Sequence, residues 1–174
     1  YYCENIVPGK LTWLKKNKQN LDAPTLSLYI KVLGKYSQWE ELREVAEVSV
    51  PLYLKYQSGL ELMSSRSNED IVFCLELFKK LEDGGFYEKG FYHNYAVLYY
   101  RINDIFQSNL YFEKEYDESN DERDLLNILN ARVKCSKFEI DRYVEHASKS
   151  SDSDVLCLVS YFYEKKQNYY QQKI

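Results

Sequence analysis

The chain has 174 residues, a length that fits one domain or a short array of repeats and that can bury a core without metals or disulfides. Its 27 acidic and 23 basic residues give a formal net charge of −4, which disfavours a general nucleic-acid binder, and 45% hydrophobic residues exclude wholesale disorder. Only 6 glycines and 3 prolines interrupt the chain, which is typical of long helices rather than a turn-rich sheet.

The start of the chain and its cysteines bear on origin and location. The first residue is Tyr1 rather than methionine, so we expect a fragment of a longer protein. We find no basic segment followed by an apolar run, as a secretory signal would require, and no run near the ~18 apolar residues of a membrane span. The four cysteines form no CxxC pair, and Cys74 and Cys157 lie in apolar patterns where a thiol acts as a small hydrophobe. Reduced thiols without a secretion signal predict a cytoplasmic protein.

Apolar residues at helical spacing predict a series of helices along almost the whole chain. Residues 1–22 are predicted to form an N-terminal helical or linker segment, and residues 23–174 a helical-repeat domain. In chain order the predicted helices are 25–35, 39–48, 51–63, 68–83, 91–100, 104–116, 125–135, 138–147 and 155–165. The fourth helix is predicted to be capped by Asn68, to carry Ile71, Val72, Leu75 and Phe78 on one face, and to end at Gly84-Gly85. The acidic stretch from Glu113 to Asp124 is predicted to contain a solvated loop.

A repeat of about 33 residues joins these helices into pairs. Four polar breaks are each followed by an apolar residue that is predicted to start the second helix of a pair, namely Trp39, Ile105, Phe138 and Tyr169. One pair has too little apolar surface to be stable alone, whereas stacked pairs share a continuous core. The period therefore predicts an all-α solenoid of about four to five antiparallel helical hairpins. The alternative is an irregular helical bundle in which the period has no structural meaning.

The segment from Tyr92 to Tyr100 (YHNYAVLYY) resembles the first helix of the tetratricopeptide repeat. Asp104-Ile105 resembles the turn of that repeat, Ser108 its small second-helix residue and Phe112 its second-helix aromatic. Weaker copies occur at residues 125–128 and 160–169, and residues 21–24 resemble the proline-bearing link between units. The resemblance implies a right-handed superhelix that binds proteins or peptides on its concave side.

The sequence departs from the family pattern at several positions. Large residues, Ile30 and Leu129, occupy the small first-helix position in two units, and Asp141 occupies the small second-helix position of the fourth unit. Residues 51–85 fit the repeat frame poorly, and related helical-hairpin families would produce the same period.

Carried over residue by residue, the resemblance places ten residues in the groove: Lys31, Lys35, His93, Val97, Tyr100, Arg101, Asn130, Lys134, Tyr161 and Lys165. Among them, cations recur near the end of each first helix and could bind an acidic peptide or a terminal carboxylate. The alternative is that each cation only complements the dipole of its own helix. The tyrosines divide in the same way. We expect Tyr29, Tyr95, Tyr99 and Tyr163 to fill the core, and Tyr100 and Tyr161 to contact a partner.

No motif for catalysis, phosphate binding or metal ligation occurs, so we expect no enzyme activity, no cofactor and no metal. The predicted function is a non-catalytic scaffold for a protein or peptide partner, of which an acidic one is an option, with no membrane partner. One alternative is RNA binding by the basic stretch Lys10, Lys15, Lys16 and Lys18 around Trp13 and Leu14, although the net charge argues against a nucleic-acid partner. Another alternative is a sensor or oligomerisation arm of a larger effector. The sequence leaves the partner and the oligomeric state open.

Overall fold

The computed structural model describes residues 8–171, and every regular element in that range is helical. The elements in chain order are α1 (Pro8–Asn17), a 3₁₀ helix (Lys18–Asn20), α2 (Ala23–Lys35), α3 (Trp39–Glu47), α4 (Leu52–Leu62), α5 (Asn68–Asp83), α6 (Phe91–Arg101), α7 (Ile105–Ser119), α8 (Glu122–Lys134), α9 (Arg142–Ala147) and α10 (Ser153–Gln171). The predicted all-α fold is confirmed. None of these helices is both long enough and apolar enough to cross a bilayer.

The chain divides into two compact units between Tyr87 and Glu88. The first unit contains α1 to α5 and the second contains α6 to α10. The predicted boundary after residue 22 coincides with the start of α2 rather than with this division. That a repeat domain begins there stays a prediction.

In the first unit, α2 begins where a side-chain cap and a proline coincide. The Thr25 backbone N–H donates to Asp22 Oδ1 at 3.0 Å, and Pro24 lies in the first turn, where a missing N–H costs no intrahelical hydrogen bond. The helix that follows buries one apolar face, formed by Leu26, Tyr29, Ile30, Val32 and Leu33. The predicted helix over residues 25–35 is therefore confirmed, with a start two residues earlier.

The start and the inward face of α5 differ from the predicted ones. Ser67 is the capping residue, because its hydroxyl accepts a hydrogen bond from the Glu69 backbone N–H at 3.2 Å; the prediction that Asn68 caps this helix was wrong by one residue. Val72, predicted to face the core, is exposed. Ile71 and Phe78 are buried as predicted, and Cys74, Leu77 and Leu81 complete the apolar face. The helix ends at Gly84-Gly85 as predicted, and Gly85 has a φ of +74°, which glycine adopts without strain.

A buried carboxylate links three elements of the first unit. Asp70 on α5 accepts hydrogen bonds from Arg43 on α3 at 2.7 Å and from the Ser65 hydroxyl in the α4–α5 connection at 2.5 Å. Because a buried charge is costly unless it is paired and hydrogen-bonded, these partners fix α3 and α5 relative to each other.

The second unit is built from the hairpin α6–α7, the hairpin α8–α9 and the long helix α10. Helix α7 packs against both α6 and α8, and α10 packs against both α8 and α9. One continuous core runs through all five helices, formed by Ala96, Phe112, Tyr116, Leu125, Ile128, Leu129, Tyr143, Val144, Ala147, Val155, Val159 and Phe162. Ser108 is fully buried on α7, as expected for the small residue of a second helix.

An almost fully buried arginine connects α7, α8 and the segment before α9. The Arg132 side chain, 2% exposed, donates to Glu113 Oε1 through Nε at 3.1 Å and Nη2 at 2.6 Å. It also donates to both oxygens of Asp141, at 2.8 and 2.7 Å. Asp141 in turn accepts from the Tyr143 backbone N–H at 3.1 Å and caps α9. Asp141, which occupies the position where the repeat pattern has a small residue, is therefore the cap of α9 and an ion-pair partner of Arg132.

Two of the four predicted helix starts are confirmed and two are wrong. Trp39 and Ile105 begin α3 and α7 as predicted. Phe138 precedes α9, which begins four residues later at Arg142, behind the Asp141 cap. Tyr169 lies inside α10, which continues through residues 165–168 without a break. The fifth predicted pair is therefore one helix as far as residue 171.

The acidic stretch from Glu113 to Asp124 is mostly helical rather than a solvated loop. Helix α7 continues to Ser119 and α8 begins at Glu122, which leaves two residues between them. Asn120 ends α7 with a φ of +51°, in the left-handed conformation that asparagine tolerates. The predicted loop is therefore limited to these two residues, of which Asn120 is exposed, whereas Glu115 and Asp124 on the helices are buried and hydrogen-bonded.

Replacement of Arg132 by methionine should destabilise the second unit by about 3–5 kcal/mol, because Glu113 and Asp141 lose the cation that compensates their charges. Amide hydrogen exchange in α8 measures this loss in the second unit by itself. The matched control is Arg142→Met, which removes a largely exposed arginine from the start of α9 and should have a much smaller effect. Equal effects of the two variants would show that burial of Arg132 is not what matters.

The second unit should also lose stability in acid through Asp141. Burial raises the pKa of Asp141, but the hydrogen bonds and charge of Arg132, together with the Val144 and Tyr143 N–H groups, hold it below the usual 3.8. Because the folded-state pKa is the lower one, this contribution is present above pH 3.8 and is lost as the pH falls through the folded-state pKa. Hydrogen exchange of α9 as a function of pH measures it, and Asp141→Asn should flatten that part of the profile.

Candidate functional site

Helices α6 and α8 lie side by side and point in the same direction. Near their N-terminal ends, His93 Nδ1 lies 2.8 Å from Asp124 Oδ1. Near their C-terminal ends, the Lys134 ammonium contacts the Tyr100 hydroxyl and lies 4.1 Å from the centre of its ring. The first pair is separated by 31 positions and the second by 34, both close to the predicted period of about 33.

Helix α10 also contacts α8 and the segments next to it. The Ser150 hydroxyl, just before α10, donates to Glu122 at the start of α8 at 3.4 Å. Beyond the end of α8, Phe138 packs edge-on against Tyr161 with 5.7 Å between the ring centres. Helix α10 and the segment before it therefore contact the start of α8 and the segment that follows α8.

We define the lysine–tyrosine face as the two lysine–tyrosine pairs of the second unit, Tyr100 with Lys134 and Tyr161 with Lys165, together with the predicted groove residues Arg101 and Asn130 of α6 and α8. Its common feature is a lysine ammonium over a tyrosine ring. Lys134 lies over Tyr100, which is 40% exposed, and Lys165 lies 5.0 Å from the ring centre of Tyr161. Such contacts contribute about 0.5–1 kcal/mol each at exposed sites. They hold both cations next to an aromatic surface while leaving the ammonium groups accessible to a partner.

The ten predicted groove residues fall into both units. Lys31 and Lys35 lie on α2 of the first unit, and both are exposed. Lys31 is close enough to Glu61 to oppose the effect of burial, which raises the pKa of that carboxyl. The other eight lie in the second unit, where contacts join Tyr100 to Lys134 and Tyr161 to Lys165.

Val97 and His93 differ from the other predicted residues in the second unit. Val97 packs against the edge of the core. His93 pairs with Asp124, which was not among the predicted residues. The repeat period alone would not have found Asp124, because one repeat of about 33 residues beyond His93 is Leu126, and Asp124 is 31 positions away.

A polar cleft of about 360 Å³ opens at the N-terminal ends of α6 and α8. Its floor is Glu115 of α7, whose buried carboxylate accepts hydrogen bonds from the backbone N–H groups of Gly90 at 2.8 Å, Tyr92 at 3.0 Å and His93 at 3.4 Å. These are N–H groups that have no partner within the helix, so a side chain from another helix caps α6. The cap leaves no free backbone N–H there to bind an anion.

Two exposed cations lie at the rim of this cleft and share one carboxylate. Arg123 donates to both oxygens of Asp121, at 3.0 and 2.7 Å, and Lys89 lies 3.5 Å from the same group. The hydrogen bonds from Arg123, with a weaker one from Lys89, hold the pKa of Asp121 well below its usual range. Asp121 also accepts from the Arg123 backbone N–H and caps α8. Within residues 8–171, no three carboxylate, thiol or imidazole groups converge as a metal ion would require.

The tyrosines predicted to fill the core do so with one exception. Tyr29 and Tyr95 are buried, as predicted, and Tyr99 is half-buried against Tyr95 and Tyr111, with ring centres 5.1 and 5.4 Å away. Tyr163 is 47% exposed, so its predicted core position was wrong.

The two cysteines predicted to lie in apolar patterns differ in their exposure. Cys74 is buried, as expected for a small hydrophobe, whereas Cys157 is exposed. Cys3 lies outside the described residues. The apolar pattern around Cys157 belongs to the neighbouring residues Val155 and Val159, which face the core on the opposite side of α10.

The basic stretch near the N-terminus is partly neutralised by α3. Lys15 pairs with Glu41 at 2.7 Å, and Lys18 forms an ion pair with Glu44. Trp13 is exposed, and the Lys10 side chain lies outside the described ones. These pairs reduce the positive charge that this stretch would present to a phosphate backbone.

Comparison of the chain with protein-family models, with curated proteins and with solved structures finds no match. The resemblance to tetratricopeptide repeats therefore depends on the residues and contacts described above.

Proposed function

We propose that the chain is a non-catalytic scaffold that binds an acidic protein or peptide on the lysine–tyrosine face. The observation that carries the proposal is the repeated lysine over an exposed or half-exposed tyrosine, at Tyr100–Lys134 and Tyr161–Lys165. A tyrosine ring offers a large contact area at low entropic cost, and the adjacent ammonium supplies a charge-assisted hydrogen bond to a carboxylate. Both anchors lie on helices, so little ordering entropy is lost when a partner binds.

We also propose that the hairpins stack as a right-handed superhelix of the tetratricopeptide type, with the lysine–tyrosine face on its concave side. The contacts of Tyr100 with Lys134 and of His93 with Asp124 support it, because each joins equivalent parts of successive first helices. A cytoplasmic location accords with this role.

The lysines could instead only complement the dipoles of their own helices, but this role does not account for the contact between Lys134 and Tyr100. Lys134 is the last residue of α8 and Arg101 the last of α6, where a cation contributes about 0.3–1 kcal/mol. That effect requires only the position of the charge along its own helix. It doesn't require the ammonium of Lys134 to lie over a tyrosine of the neighbouring hairpin.

Reversal of charge at two positions of the face should weaken an acidic partner. We expect the double variant Lys134→Glu with Arg101→Glu to lower the affinity for acidic peptides, selected from a random displayed library, at least tenfold, because two attractive charges become repulsive. Isothermal titration measures the affinity, and circular dichroism should show unchanged helicity.

The matched control carries Arg142→Glu and Lys149→Glu, which change the net charge of the second unit equally but lie at the start of α9 and just beyond its end. It should bind within about twofold of the original protein, as expected for surface charges remote from an interface. Unaltered affinity in the face variant, or an equal loss in the control, would place the binding site elsewhere.

RNA binding is the other candidate, and the ion pairs of Lys15 and Lys18 argue against it. We expect the chain to show no salt-dependent retention on heparin and no binding of single-stranded RNA in a mobility-shift assay. Retention that is lost in Lys15→Ala with Lys16→Ala, and unaffected by the Lys134 variant, would favour RNA binding through α1.

A further inference from the structure

In the polar cleft, His93 has one ring nitrogen that is hydrogen-bonded within residues 8–171 and one that is not. Its Nδ1 is held by Asp124 at 2.8 Å, and its ring packs edge-on against Phe112 at 5.4 Å between centres. Nε2 has no hydrogen-bond partner among the residues that the structure describes. The side chain is 38% exposed, so a partner molecule can reach this nitrogen from the cleft.

The pairing with Asp124 decides what Nε2 offers to a ligand. A carboxylate only accepts hydrogen bonds, so Nδ1 carries the proton of this contact. In a neutral imidazole with a protonated Nδ1, Nε2 has the lone pair and accepts. Because the Asp124 side chain is buried and Phe112 packs against the ring, the direction of that lone pair is fixed before a ligand arrives.

The charges around the cleft disfavour ions of either sign. Three carboxylates face His93, those of Glu115 on α7, Asp121 before α8 and Asp124 on α8. An anion would meet their negative charge. Two cations, Lys89 before α6 and Arg123 on α8, lie at the rim and would repel a cationic side chain. A neutral group that donates a hydrogen bond meets neither cost.

We propose that His93 determines specificity by accepting a hydrogen bond from a neutral side chain of the partner, either a hydroxyl or a carboxamide. The inference rests on the proposed function, because His93 lies on the same side of α6 as Val97, Tyr100 and Arg101. The partner would then be recognised at two points, through an acidic side chain at Lys134 and through an uncharged one at His93. His93 is then a binding residue, and Asp124 is a positioning residue that acts through it.

The spacing of the two points predicts a sequence pattern in the partner. His93 and Tyr100 are seven residues apart on α6, or about 10 Å along the helix axis. An extended peptide covers about 3.3 Å per residue, so the two groups are about three residues apart in the partner. Peptides selected on the protein should therefore carry Ser, Thr, Asn or Gln about three positions from Asp or Glu.

The test compares a selected peptide with the same peptide in which the neutral polar residue is changed to alanine. On the original protein, and on the control His146→Phe, the alanine peptide should bind about three- to tenfold more weakly. On the double variant His93→Phe with Asp124→Leu, which removes the imidazole together with its buried carboxylate partner, the two peptides should bind equally. His146 is the only other histidine of the chain.

A second measurement doesn't depend on how the variants fold. In long-range proton–nitrogen NMR spectra of the unmodified protein, the polar peptide should shift the Nε2 resonance of His93, whereas the alanine peptide and the resonances of His146 should show no such change. Peptides that bind without the predicted polar residue, or an equal loss on all three proteins, would overturn the role of His93 and leave the scaffold function intact. Selection of no peptide at all would overturn both.

Discussion

The second unit depends on one buried cation. Arg132 is the largest of the fully buried side chains, and its guanidinium binds Glu113 of α7 and Asp141 before α9 at the same time. Neither carboxylate has another cation among its hydrogen-bond partners in the described part of the chain. A charge in this position is stable only when paired, so α7, α8 and the start of α9 have one relative placement. That placement fixes α8, the helix on which the lysine–tyrosine face is centred.

The need to pair buried polar groups also accounts for several acidic residues at the end of α7 and the start of α8. Glu115 caps α6, Asp121 caps α8, and Asp124 holds His93, so each carboxylate satisfies groups that the helices leave open. Composition alone describes this stretch as a solvated run of charge. Its partners lie on other helices, up to 31 positions away, and no local pattern reveals them.

Helix periodicity predicted most elements because it records which face is buried, and burial is what stabilises these helices. It failed where a break was inferred from polarity alone. The segment from Lys165 to Asn168 contains no glycine, proline or capping contact, and Lys and Gln are good helix formers, so α10 continues. At Phe138 the apolar pattern predicts a helix start, but the cap that can satisfy backbone N–H groups is Asp141. The groove residues were predicted from the resemblance alone, whereas the contacts of Arg132, Glu115 and Asp124 depend on the pairing of residues far apart in the sequence.

The net charge of −4 and the proposed acidic partner are compatible because the two describe different parts of the surface. Glu113, Glu115, Asp124 and Asp141 are occupied by contacts within the second unit. Lys134 and Lys165 instead contact tyrosine rings, and no carboxylate pairs with them in the described range. Salt screens charges beyond about 10 Å at moderate ionic strength, so a partner on this face meets the nearby cations rather than the overall charge. Binding there should therefore weaken with added salt even though the protein as a whole is acidic.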